Sequence, residues 1–169
     1  YLTIYNENYE MPPKAEGIED GIMAGLYRWA PAPEGAAIPA AILFSGPAHA
    51  AARIAQAELA EHYGVGAELW SATSYKKLRE EALEVERWNR LHPGAAPRAS
   101  YVSRSLAGLG PVVAVSDYMT AVPDQISRWV PARYTSLGTD GFGRSDTREA
   151  LREFFEVDYR HVVVAVLAV

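Results

Sequence analysis

The stretch Ala40-Ala41-Ile42-Leu43-Phe44-Ser45-Gly46-Pro47 decides how this chain is read. Five apolar residues run without a polar break and stop at Ser-Gly-Pro. A strand covered on both faces looks like this, whereas a strand with one wet face alternates. The residues that follow, from about 48 to 63, set Ala51, Ala55, Leu59 and Tyr63 at four-residue intervals, which predicts a helix with one apolar face. Gly64 and Gly66 predict its end.

The same grammar repeats downstream. Glu68-Leu69-Trp70 reads as a second core strand. Ser74 is placed to cap a helix with the apolar stripe Leu78, Ala82, Val85, Trp88 and Leu91, and His92-Pro93-Gly94 closes it. Val112-Val113-Ala114-Val115-Ser116 is rich in β-branched residues and predicts another doubly buried strand. A short helix is expected over Ala121–Trp129, with Pro123 tolerated in its first turn. Tyr134–Leu137 reads as a strand, and Asp146 with Glu149 as a capping box for a helix bearing Leu151, Phe154 and Phe155. Upstream, Leu26-Tyr27-Arg28-Trp29 reads as a short edge strand before the turn marked by Pro31, Pro33 and Gly35. Strand and helix thus alternate four times. Alternation predicts an α/β fold: a mostly parallel sheet, right-handed crossovers, and helices on both faces.

The ends stand apart. Tyr1–Tyr5 alternates and predicts a strand, and residues 6–14, with Met11-Pro12-Pro13, read as a linker. Tyr159–Val169 carries two conflicting signals: five valines favour a strand, while Asp158 is placed to cap a helix. A chain opening on a strand and closing on an apolar run is expected to be a piece of something longer.

Composition bounds the chemistry. The 169 residues suffice for one domain, 49% are apolar and 22% charged, and the net charge is −5. That balance favours neither nucleic acid nor an anionic membrane as a partner. Cysteine is absent, which excludes disulfides, thiolate catalysis and cysteine metal sites.

Ligands of open α/β sheets bind beyond the carboxyl ends of the strands. Those positions here are Ser45-Gly46, Ser71, Asp117 and Gly138–Gly143. Gly138-Thr139-Asp140-Gly141-Phe142-Gly143-Arg144-Ser145 has both glycines and the terminal hydroxyl of a phosphate loop, but Arg144 stands where lysine belongs, and Asp140 would repel phosphate. A tight turn accounts for its glycines as well. Ser45, Asp117 and His161 follow the chain order of a hydrolase triad, but no glycine stands two residues before the serine. His49, His62, His92 and His161 contain no i, i+4 pair for zinc. The charges of 76–90 fit a solvated helix face, and Trp70 and Trp88 fit core or interface anchors.

Four stretches go further than pattern. They are Tyr5-Asn6-Glu7-Asn8-Tyr9 with Met11-Pro12, Glu86-Arg87-Trp88-Asn89-Arg90-Leu91-His92-Pro93, Asp117-Tyr118-Met119, and Leu137 through Glu149 continuing to Phe155-Glu156-Val157-Asp158. In this order the chain resembles the C-terminal domain of the homodimeric, bacterial-type pyruvate dehydrogenase decarboxylating component, in the transketolase-like, thiamine-diphosphate-dependent family.

The resemblance implies a three-layer, mostly parallel five-stranded sheet with one antiparallel edge strand. It implies that residues 1–14 are the end strand of a preceding domain plus a linker, and that 15–169 are a C-terminal domain truncated at its own C-terminus. Tyr159–Val169 is then helical. Thiamine diphosphate and magnesium belong to the parent enzyme, with none expected on this piece. The implied partners are the preceding domains, a second subunit of a homodimer, and the dihydrolipoyl acyltransferase component, in the cytoplasm. No catalytic, cofactor-binding or metal residue carries over. The expected crevice or interface loop comprises Ser45, Asp117, Asp140, Phe142, Arg144 and Asp146. One departure stands out: Phe44-Ser45-Gly46-Pro47 occupies the place of the family's usual Gly-Ser-Gly.

Overall fold

A computed structural model describes residues 8–9 and 12–169. The strand expected at Tyr1–Tyr5 lies outside the described residues. The elements run α1 Glu19–Ala24, β1 Leu26–Ala30, β2 Ile38–Phe44, α2 His49–Tyr63, β3 Val65–Ala72, α3 Tyr75–Leu91, α4 Tyr101–Ser105, β4 Val112–Val115, β5 Tyr134–Leu137, α5 Arg148–Phe154 and α6 Tyr159–Ala168. Two 3-10 turns, Gly46–Ala48 and Pro123–Trp129, complete them. The five strands are ordered β1-β3-β2-β4-β5, with β1 antiparallel to β3 and all other pairs parallel. The expected architecture is present, antiparallel edge included.

The β2 run is apolar because both of its faces are covered. Ala40, Ile42 and Phe44 face one core with Ala52, Ala55 and Leu59 of α2 and Val162, Val163 and Val166 of α6. Ala41 and Leu43 face the other core with Leu78 of α3, Val102 of α4, and Ile126 and Val130. Successive strand residues point to opposite faces, so a sandwiched strand has no side left for polar groups. β3 and β4 lie on opposite sides of β2, and right-handed crossovers therefore put α2 and α3 on opposite faces of the sheet.

Several local expectations are corrected. The buried stripe of α2 is Ala52, Ala55 and Leu59, and Tyr63 is half exposed. Strict four-residue steps drift about 40° each around a helix of 3.6 residues per turn, so Tyr63 has rotated off the face. Gly64 ends α2 in the left-handed region (φ 66°), but Gly66 belongs to β3. Val85 and Trp88 of α3 are only partly buried and Leu91 is exposed, because the end of the helix runs past its core. The segment expected as a helix over 121–129 is 3-10 from Pro123 onward. α5 is capped by Thr147, which accepts from the Ala150 amide (3.3 Å); Asp146 instead accepts from the Thr147 amide (2.7 Å). α1 and α4 carry no periodic signal, each being under two turns long. α6 is helical, as the Asp158 cap and the family pattern implied and the valines did not: Asp158 accepts from the His161 amide at 3.0 Å.

Gly110 shows a backbone need that the apolar pattern did not reveal. Its φ is +75°, and a Cβ there would lie 2.1 Å from the Pro39 carbonyl oxygen. Only glycine lets the chain enter β4 this close to β2.

Candidate functional site

Strand order reverses between β2 and β4, and open α/β sheets bind ligands beyond the strands' carboxyl ends at such a point. Ser45 and Ser116 follow these two strands, both buried. The Ser45 hydroxyl donates to Ser116 Oγ (2.8 Å), and Ser116 Oγ accepts from the Tyr118 amide (3.0 Å). His161 Nδ1 meets Asp158 Oδ1 at 2.7 Å. The Ser45 proton therefore points to another serine and the His161 ring is engaged by its own helix cap, so the triad geometry is not formed. Burial works to raise the Asp158 carboxyl, but the His161 amide and ring and the Arg160 guanidinium outweigh it and hold the carboxyl below its usual value.

At the carboxyl ends of β4 and β5 lies a cleft of about 420 Å³. Asp117, Thr139, Arg144, Arg148 and Arg152 bring its polar groups, between Gly141, Gly143 and the apolar Leu151, Phe155 and Val157. Arg144 stacks on the Phe154 ring, its Cζ 3.8 Å from the centroid, which fixes the guanidinium at the mouth. The Arg152 guanidinium donates to the Tyr9 hydroxyl at 3.3 Å.

Of the expected residues, Asp117 and Arg144 reach this cleft. Asp140 is turned the other way, accepting from the Thr120 amide (3.0 Å) and the Thr120 hydroxyl (2.7 Å). Phe142 stands 96% exposed at the loop tip, and Asp146 serves the turn before α5. Ser45 is held below, against Ser116. Arg148 and Arg152 were not expected at the site. Their signal was the four-residue spacing of Arg144, Arg148 and Arg152, which puts 148 and 152 on one face of α5.

Gly138 explains how the loop is held. A Cβ there would lie 2.5 Å from the Tyr118 carbonyl oxygen and 2.7 Å from the Thr120 amide nitrogen. Its bare backbone lets the loops at 117–120 and 138–143 lie against each other. Thr139 then ties them, its amide donating to the Tyr118 carbonyl (3.0 Å) and its hydroxyl to the Asp117 carbonyl (2.6 Å).

A second, more apolar hollow of about 550 Å³ lies between Tyr9 with residues 12–22 and the carboxyl ends of β2 and β3, walled by Ile18, Ile22, Trp29, Phe44 and Pro47. The Glu86–Pro93 stretch lies on neither hollow and acts as a clamp. Asn89 exchanges two hydrogen bonds with the Arg98 backbone (2.9 and 2.8 Å). Trp88 stacks on His92 (4.4 Å, 13°) and carries the Arg98 guanidinium at 3.6 Å. Glu86 bonds Arg128 and accepts from Trp129 Nε1 (2.7 Å).

Among the described residues, no three histidine or acidic side chains converge where they could hold a metal ion. No helix among them is long and apolar enough to cross a membrane.

Comparison with known proteins matches residues 25–158 to the family described as the transketolase-like TK C-terminal domain. The chain is 47% identical over 169 residues to the pyruvate dehydrogenase E1 component of Pseudomonas aeruginosa, a match covering 99% of this chain and 19% of that protein. The corresponding protein of Mycolicibacterium smegmatis is also 47% identical, with 18% of its length covered, and that of Escherichia coli K12 is 45% identical over 168 residues. The chain thus spans less than a fifth of the length of the curated relatives it matches. Among solved structures, a transketolase from Leishmania mexicana superposes with a TM-score of 0.58 at 19% identity, over 88% of this chain and 18% of that one. A split-gene transketolase, described as an inactive β4 tetramer, gives 0.57 at 22% identity over 86% of this chain and 42% of that one. At these identities the structural likeness speaks for the fold.

Proposed function

We infer from the chain's place in the transketolase-like TK C-terminal domain family, to which it belongs, that it is the C-terminal domain of a pyruvate dehydrogenase E1 component. The observation that carries this reading is identity of 45–47% sustained over 99% of the chain to proteins of that name in several bacteria. On this reading residues 1–14 close a preceding domain and link it to the domain that begins at residue 15.

The parent is a cytoplasmic bacterial homodimer. It decarboxylates pyruvate on thiamine diphosphate and magnesium, then reductively acetylates lipoyl groups of the dihydrolipoyl acyltransferase component. The reading assigns cofactor and chemistry to the rest of the parent. This domain supplies structure: a rigid sheet that buttresses the dimer and offers surface for assembly. The relatives lend no support to a stand-alone anion- or nucleotide-binding module built on Gly138–Gly143.

The test is an assay of the full-length parent for carbon dioxide release from pyruvate. Release that depends on thiamine diphosphate and magnesium, and that the 169-residue chain alone does not show, is the expected result. A parent without cofactor-dependent release, or turnover by the isolated chain, overturns the reading.

A further inference from the structure

We propose that the loops at 117–120 and 138–143 form an interface, occupied by the part of the parent polypeptide that precedes this domain in the same chain. The inference rests on the reading above as a C-terminal domain.

Exposure marks the surface. Phe142 is 96% exposed, Met119 55% and Tyr118 51%. The two loops that carry them are bonded together through Thr139–Tyr118 and Asp140–Thr120, so the three side chains belong to one platform. Single exposed apolar residues are ordinary, but large ones gathered on adjoining loops mark a contact surface. The platform is also set before anything binds. Asp140 takes two hydrogen bonds from Thr120, and Gly138 leaves no gap between the loops. Such order lowers the entropy lost on association.

The path of the chain identifies the occupant. Tyr9 bonds Arg152 and packs edge-on against the His49 ring at 6.3 Å. Arg152 lines the same cleft as Arg144, Gly141 and Gly143, beside the platform. The polypeptide therefore enters the domain at this end of the sheet. On the reading that Tyr1–Tyr5 closes the preceding domain, three residues separate that domain from Tyr9, four Cα–Cα steps that span about 14 Å at most. More than four-fifths of each relative lies outside the match, so a body several times larger than this domain is tethered at the platform's edge. A second copy has no such tether.

The test places p-benzoylphenylalanine at position 142, and separately at 119, in the full-length parent. Irradiation is expected to give a cross-link within a single chain, and peptide mapping is expected to place its other end upstream of Tyr1. A cross-link joining two chains, or no cross-linked peptide from either position, overturns the proposal. The unsubstituted parent is assayed in parallel for cofactor-dependent pyruvate decarboxylation. Failure of that assay overturns the E1-component reading, while the cross-link map judges the interface on its own.

Discussion

The Ser45 hydroxyl lies 2.8 Å from Ser116 Oγ, joining the ends of β2 and β4 at the point where strand order reverses. Each hydroxyl is buried, and each finds its partner in the other. The place where a nucleophile would be expected holds instead a structural pair of serines. Ser45→Ala removes one hydrogen bond while Ser116 keeps the Tyr118 amide. The expected loss is about 1 kcal/mol, read as a lower urea midpoint at unchanged slope, with cofactor-dependent turnover of the parent retained. Abolished turnover in a folded Ser45→Ala parent would contradict the structural role.

Gly138 and Gly143 lie in one loop and separate two roles for glycine. A Cβ at 138 meets backbone at 2.5 Å, whereas one at 143 meets nothing within 4 Å. Gly138→Ala is expected to cost about 1–3 kcal/mol through overpacking, and Gly143→Ala to stay within about 0.5 kcal/mol. Chemical denaturation of the two variants side by side checks the contrast; equal midpoints would refute it.

Asp158 makes the stability of α6 depend on pH. Its carboxyl is held below the ordinary range in the folded chain, so the unfolded chain binds the proton more readily. The stabilisation is complete above the unfolded value, about 3.9, and is lost as pH falls through the lower folded value. Asp158→Asn keeps a capping oxygen, and Asp158→Ala removes it at a cost of about 0.5–2 kcal/mol at neutral pH. Both variants should flatten the acid limb of a stability–pH curve. An unchanged acid limb in Asp158→Asn would show that the cap does not depend on its charge.

Asn89 holds the chain after α3 through two hydrogen bonds to the Arg98 backbone. Asn89→Ala leaves the Arg98 amide and carbonyl to water. Faster hydrogen exchange over residues 92–99, with α2 unaffected, is the expected signature. Unchanged exchange in that segment would mean that the Trp88–His92–Arg98 stack alone secures it.

Much of the fold was legible because its signals are local. The unbroken apolar runs at 40–44 and 112–115 could be satisfied only by strands covered twice, and Ser74 and Asp158 announced their helices through a side-chain oxygen three residues before a free amide. The site was legible only in part. Asp117 and Arg144 were found because strand ends and a glycine loop can be located from pattern. Arg148 and Arg152 were missed because helix-surface arginines look alike until the sheet shows which of them face a cleft. The cap of α5 moved by one residue because Asp146 and Thr147 are both able caps, and the turn chose between them.

By itself the sequence determined the types of the core strands and of the two long helices, the α/β class and, through long motif stretches, the family. Each of these is written in neighbours along the chain or in residue identity. Tertiary structure alone decided that Ser45 meets Ser116 across 71 positions, that Tyr9 meets Arg152 across 143, and that Asp140 turns from the cleft toward Thr120. Those contacts depend on the strand order β1-β3-β2-β4-β5, which brings distant segments to one end of the sheet. Backbone preference acts over a few residues; contacts between remote side chains follow from packing the whole sheet between its two cores.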